Sequence, residues 1–215
     1  MKGKRGETIT PIYHITHIYN LRSIVEKGGL CCDNTRVTEA VDSIGIAHSH
    51  IKERRAKRNV PVKPGGVVAD YVPFYFAPRS PMLYAIHCNA VEGFNGNQNH
   101  ILHLVSSAEQ VMAKGLPFVF TNGHAEMLIS RFFRDLSDLD KVDWEIMQDR
   151  VWRDTNEDGD RKRRRQAEFL VHRFFPSSLF SEIGVANKRM AQEVELILNS
   201  LSLAIPITVH SDWYY

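Results

Sequence analysis

Several things are scarce or missing in this 215-residue sequence, and each shortage removes a class of function. There are three cysteines, Cys31, Cys32 and Cys88. An odd number with two adjacent argues against a disulfide framework and against a cysteine zinc site. No apolar run approaches the roughly 20 residues of a bilayer-spanning helix. The opening Met1-Lys2-Gly3-Lys4-Arg5-Gly6-Glu7 has no apolar leader segment behind it, so a cytoplasmic location is expected. Neither G-x-G-x-x-G nor G-x-x-x-x-G-K-(S/T) occurs, which disfavours Rossmann and P-loop modes of nucleotide binding. H-E-x-x-H and the G-x-S-x-G elbow are also missing. The ten histidines are scattered, with His14/His17 and His48/His50 among the close pairs. His14 and His17 fall on opposite faces of one strand, so no metal site is expected.

The composition that is present suits a globular chain: 43% hydrophobic and 24% charged residues. This length fits a single domain over 1–215, with 1–10 flexible. The net charge of +2 is too mild to announce nucleic acid, but its distribution is uneven. Basic residues gather in Lys52–Arg58 and Arg161–Arg165, acidic ones in Asp135–Asp143 and Asp154–Asp160. Local basic patches are what a phosphate-bearing partner would feel, although each patch alone also reads as a solvated face. The acidic tip 154–160 loosely matches a calcium loop, but Arg165 stands where the bidentate Glu belongs, so an ordinary acidic loop is expected.

Periodicity predicts an α+β chain of short strands with helices outside. Ile12–His17 reads as a strand, and Leu21–Lys27 as a helix capped by Asn20 and ended by Gly28-Gly29. Residues 31–50 read as a loop with a short helical turn, and 51–59 as a charged helix. Val67–Phe76 has the strongest strand signal, with Pro73 expected to split or bulge it. A helix opens at Pro81. Further strands are expected at 101–105, 118–121, 167–171, 183–186 and 205–209. Helices are expected at 108–114, 127–136 and 188–201, the last with Met190, Val194, Ile197, Leu198 and Leu201 on one face. On the 167–171 strand, Gln166, Glu168, Leu170 and His172 share a face. A carboxylate entering a core there needs a partner or a task; a salt bridge to a nearby arginine would also explain it.

Three blocks stand in order: Tyr13-His14-Ile15-Thr16-His17 followed by Asn20, Leu21, Ile24 and Gly28; Val72-Pro73-Phe74-Tyr75-Phe76 followed by Arg79-Ser80-Pro81-Met82-Leu83-Tyr84; and Arg165-Gln166-Ala167-Glu168-Phe169-Leu170-Val171. A strand His, aromatics ending in a helical Tyr, and a late strand Glu resemble the signature of ADP-ribosyltransferases. Over roughly residues 11–210 the blocks resemble the DarT family, DNA ADP-ribosyltransferase toxins of bacterial toxin–antitoxin pairs, and its thymidine-modifying branch in particular.

That resemblance implies a split, bent β-core with NAD⁺ as co-substrate in its cleft. It implies Glu168 and Arg55 as catalytic groups, with Arg54 the competitor for the second role. NAD⁺ would be held by His14, Thr16, Asn20, Arg55, Tyr75 and Tyr84, although His14 also reads as a satisfied core histidine and Asn20 first as a helix cap. Single-stranded DNA would meet Tyr75, Arg79, Met82, His124, Arg163, Arg164 and Arg165. An unpaired strand suits the chemistry because base pairing hides thymine N3. The resemblance also implies an antitoxin partner carrying a macrodomain. Other readings stay open at this stage: the same fold acting on guanine, RNA or protein, an RNA phosphotransferase, or a nucleic-acid-binding module without catalysis.

Overall fold

A computed structural model describes residues 9–39, 44–46, 49–94 and 96–215. Most of the stretch expected to be flexible, 1–8, lies outside these, as do 40–43, 47–48 and 95 within the expected loops. The first half of the chain runs β1 (Pro11–His17), α1 (Leu21–Glu26), β2 (Gly29–Cys31), α2 (Asp33–Thr38), α3 (Ser49–Lys57), β3 (Tyr71–Tyr75), α4 (Pro81–His87), β4 (Ile101–Ser107) and α5 (Ala108–Ala113). The second half runs β5 (Phe118–Thr121), β6 (Phe132–Phe133), α6 (Trp144–Gln148), α7 (Arg161–Arg165), β7 (Glu168–His172), β8 (Phe174–Pro176), β9 (Glu182–Val185), α8 (Lys188–Ser200) and β10 (Ile207–Val209). An eight-stranded sheet has the order β10-β9-β4-β1-β3-β7-β5-β6, and β2 pairs with β8 beside it. Among the described residues only β10–β9 is parallel, so the α+β expectation holds.

The sheet is two ladders joined at a seam. β1 pairs with β4 without interruption from Pro11↔Ser107 to His17↔Ile101, and β3 with β7 from Tyr71↔His172 to Tyr75↔Glu168. Between the ladders, β1 and β3 pair at a single position, Tyr13↔Tyr75. Pro73 explains part of this, since it has no N–H to give. It does not split β3, contrary to expectation. It sits within the strand where the neighbour has already splayed away, and its carbonyl is taken by Nδ1 of His14 at 2.8 Å.

The main core fills around Phe74, Phe120, Phe169 and Phe175, all fully buried, with Met190, Val194 and Leu198 of α8 packed in. A second cluster lies under α4 around Ile15, Leu83 and Ile86. On β7, Phe169 and Val171 face the main core while Leu170 joins Val60, Val68, Tyr71 and Val119 on the other side. The period-2 reading of this strand is thereby borne out.

One helical expectation changes. Residues 127–136 form turns and β6 instead of a helix, because Phe132 and Phe133 add to the edge of β5 at Thr121 and Phe120. Met127, Leu128 and Ile129 are left facing solvent, Leu128 at 85% exposure. The basic run forms the single-turn helix α7 just before β7.

Candidate active site

β7 delivers Glu168 into a cleft where the two ladders part. The strand's ladder to β3 puts Tyr75 directly opposite Glu168, so their side chains stand together on one face. Both line a cleft that also takes in His14, Thr16, Asn20, Arg55, Met82 and His124. Eight of the residues singled out in the sequence are thus brought into one place.

The Glu168 carboxylate is 2% exposed and accepts on both oxygens. Oε2 takes Nη1 of Arg55 at 2.7 Å, and Oε1 takes the backbone N–H of Ala125 at 3.0 Å. Burial alone would raise its pKa. Arg55, His124 and the Ala125 N–H overrule burial and hold the carboxyl below its ordinary value. Burial likewise works against the Arg55 charge, and Glu168 more than restores it. Arg55 is itself 7% exposed. Among the described residues its Nη2 is buried without a hydrogen-bond partner, leaving one strong donor of the guanidinium unclaimed in the cleft wall. Arg54, the competitor one position earlier, faces outward and pairs with Glu126 at 2.6 Å.

The opposite wall comes from β1. Nδ1 of His14 donates to the Pro73 carbonyl, which leaves Nε2 as an acceptor. Burial pulls the pKa of His14 down to about 4, so the ring is neutral. His14 is thus satisfied at one nitrogen, as the core-histidine reading expects, and presents its other nitrogen to the cleft.

Asn20 does not cap α1. Its backbone is already helical and its side chain makes no capping bond. Its Nδ2 instead donates to Thr16 Oγ1 (3.1 Å) and the Ile44 carbonyl (3.0 Å), while its Oδ1 accepts from Ile44 N–H (2.8 Å). Asn20 ties the segment at Ile44 over β1 and orients the Thr16 hydroxyl. Burial also raises the Tyr75 phenol, with Glu168 adding to the effect, so this group is a neutral donor.

His124 belongs to the loop between β5 and β6. The neck of this loop is closed by Asn122 and Arg131, with Arg131 N–H donating to Asn122 Oδ1 at 2.9 Å. Burial lowers the pKa of His124 against the pull of Glu168. Nδ1 lies 3.4 Å from Glu126 Oε1.

The remaining expected contacts lie elsewhere. Arg79 stacks over the Tyr215 ring at 4.3 Å, and Tyr84 packs edge-on against Trp152 and Tyr215. The α7 arginines are engaged within the chain. Arg163 pairs with Asp160 and lies over Gly123. Arg164 pairs with Asp143 and Asp158. Arg165 is buried, donating to the Ile146 and Arg79 carbonyls. The acidic tip is thus largely a counter-charge to α7.

Sequence reasoning missed the Ala125 N–H, the Pro73 carbonyl, and Asp33 and Arg36, which also line the cleft. Backbone groups carry no side-chain signal. The two charged residues sit in a segment whose weak periodicity hid which way they face.

A family model described as "ssDNA thymidine ADP-ribosyltransferase, DarT" matches residues 13–215. The chain belongs to the DarT family. A relative from Thermus sp. (strain 2.9), a DNA ADP-ribosyl transferase, is 49% identical over 208 residues, covering 96% of each chain. Solved structures of the Thermus sp. 2.9 DarT superpose closely. Its complex with ADP-ribosylated single-stranded DNA has a TM-score of 0.90 at 47% identity with full coverage of both chains. Its complex with NAD⁺ has a TM-score of 0.87 at 45% identity, covering 96% of this chain and 98% of that one. A more distant DarT relative from Thermosipho africanus is a fusion of DNA ADP-ribosyl transferase with DNA ADP-ribosyl glycohydrolase. It is 24% identical over 90% of this chain and 47% of the fusion. No helix among the described residues is long and apolar enough to cross a membrane.

Proposed function

We propose that this DarT-family chain transfers ADP-ribose from NAD⁺ to thymine in single-stranded DNA and releases nicotinamide. The observation that carries the reading is the buried, ionised Glu168 held by Arg55 and the Ala125 N–H in a cleft whose far wall offers neutral acceptors. Bound NAD⁺ supplies an ADP-ribosyl group whose ribose gains positive charge as nicotinamide leaves. Glu168 orients that sugar through its hydroxyls and stabilises charge of this sign where it develops. Nε2 of His14 and the Thr16 hydroxyl hold the adenosine side, with Asn20 keeping Thr16 in position. The unclaimed Nη2 of Arg55 suits an anionic oxygen, a phosphate or the developing thymine imidate. The Tyr75 ring and Met82 flank the reacting centre.

The depressed pKa of Glu168 makes it a weak base. The imidazole of His124, beside Glu168 in the cleft, is the other group placed to take the thymine N3 proton. Arg79 and the aromatic group around Tyr84 form a neighbouring patch for the rest of the strand, by stacking and phosphate pairing. The α7 arginines reach DNA only by exchanging their carboxylate partners for phosphates.

The same reading makes the chain a cytoplasmic toxin in a single domain over 1–215, with a macrodomain antitoxin that removes the modification. The transferase–glycohydrolase fusion among its relatives supports that pairing.

The test is incubation with labelled NAD⁺ and separate DNA, RNA and protein acceptors. Label is expected on thymine-containing single strands, with a loss of about 10²–10³ in rate for Glu168→Ala. His124→Gln should lose label on DNA while still releasing nicotinamide. Label on protein or RNA alone, or equal label from Glu168→Ala, overturns the reading.

A further inference from the structure

The ladder between β5 and β7 runs Phe118↔Val171, Val119↔Leu170, Phe120↔Phe169 and stops there. The next pair would set Thr121 against Glu168. A side chain takes over at that point. The fully buried Thr121 hydroxyl accepts the backbone N–H of Glu168 at 3.0 Å and donates to the Gly123 carbonyl at 2.6 Å. One hydroxyl thus links the backbone of the acidic strand to the turn that carries the groups facing its carboxylate, the His124 ring and the Ala125 N–H.

The turn has a second mount on its other side. His124 N–H donates to the Arg163 carbonyl at 3.0 Å. A Cβ on Gly123 would stand 2.1 Å from Arg163 Nη1, so α7 presses directly on the turn. Between these mounts the turn is fixed against β7, and the hydroxyl is the mount that reaches Glu168.

We propose that Thr121 is a positioning residue for the transfer reaction, whose hydroxyl registers the Gly123–Ala125 turn against Glu168 and so sets the Ala125 N–H and the His124 ring on the carboxylate. No other side chain in the described residues bonds both the Glu168 backbone and this turn. A donor displaced by a fraction of an ångström from a developing charge loses most of its effect. The NAD⁺-side wall of His14, Thr16 and Asn20 belongs to β1 and the residues just after it, across the seam, and is untouched by this linkage. Loss of the hydroxyl is therefore expected in turnover and not in NAD⁺ affinity.

The proposal rests on Glu168 being the catalytic carboxylate, so its test includes readouts independent of any substrate. In Thr121→Val, which keeps the shape and loses the hydroxyl, kcat for DNA labelling should fall at least tenfold while KM for NAD⁺ stays within about twofold. Thr121→Ser should return kcat to within about threefold. By carbon-13 NMR, the Glu168 carboxyl should titrate at a higher pH in Thr121→Val than in the wild type, and return in Thr121→Ser. Amide exchange on the wild-type protein, which needs no variant to fold, should show the Glu168 N–H protected like those of the β5–β7 ladder. A wild-type kcat in Thr121→Val, a Thr121→Ser variant that folds without rescue, an unmoved Glu168 titration, or rapid exchange at Glu168 overturns the proposal. If the wild type labels no DNA, the function reading fails, and titration and exchange still decide the role of Thr121.

Discussion

Arg54 and Arg55 are neighbours in α3 with unrelated surroundings. The Arg54 side chain is 58% exposed and pairs with Glu126, whose side chain is 8% exposed, an ion pair that does not include Glu168. Arg55 is sealed against Glu168, and removing one partner of such a pair typically costs about 3–5 kcal/mol because the other charge is left buried alone. Arg55→Ala is therefore expected to cut the initial rate of DNA labelling by at least about 10², with Arg54→Ala staying within a few-fold. The pH profile supplies the sign. Arg55 is one of the groups that hold the Glu168 carboxyl down against burial. Without it burial wins, the carboxyl takes its proton at a higher pH, and the acid limb of the residual activity moves upward. The sequence named both arginines and could not choose between them. α3 is charged on every side, so no apolar stripe says which face turns inward. Glu168 itself was legible because a lone carboxylate in an apolar strand is costly wherever it points. Asn20 was misread because the residue type that caps helices also makes tertiary amide bonds, and the choice depends on where Ile44 happens to lie.

Among the elements, the strands were the most readable. Short runs of β-branched and aromatic residues between Gly and Pro punctuation gave β1, β4, β5, β7, β9 and β10 close to their observed bounds. The loop between β5 and β6 was the failure. Its run Met127-Leu128-Ile129 has the composition of a buried helix, yet all three face solvent, and the segment's shape is dictated by its neck at Asn122–Arg131 and by the turn under Arg163. At that turn a Cβ on Gly123 would meet the Arg163 guanidinium at 2.1 Å, so a larger residue must displace the end of that side chain. Gly123→Ala is expected to lower the denaturation midpoint by the equivalent of about 1–3 kcal/mol, typical of an overpacked site. DNA-labelling activity should fall further than the stability loss explains, since His124 and Ala125 follow in the chain. Thermal unfolding alongside initial rates checks this, and activity tracking folded fraction alone counts against it. The basic run was conspicuous in composition, and two of its counter-charges, Asp158 and Asp160, stand just before it in sequence, whereas Asp143 reaches α7 only through the fold.

Across the whole molecule, buried neutral histidines couple stability to acid. Burial brings the pKa of both His14 and His103 from 6.5 to about 4. An unfolded imidazole takes a proton near 6.5 and these folded rings only near 4, so between those values the unfolded state binds more protons. Stability should therefore fall as pH drops from about 6.5 towards 4, while above 6.5 these rings contribute no slope. For the fully buried His103 the loss is on the order of 3 kcal/mol once pH is below 4. Denaturant midpoints measured across this range should show a shallower slope in His103→Gln, and an unchanged slope would refute the assignment. The seam between β1 and β3 has a mechanical meaning as well. Each ladder is stitched along its length, but the line between them is riveted by Tyr13↔Tyr75 and by the His14 imidazole on Pro73. The sheet is thus least stiff along the line from which the cleft opens, like a book bound at one corner of its spine. Cleft width is what the molecule can vary at least cost. The two leaves can part without tearing either ladder, and the His14 imidazole on Pro73 is the clasp that limits how far they part.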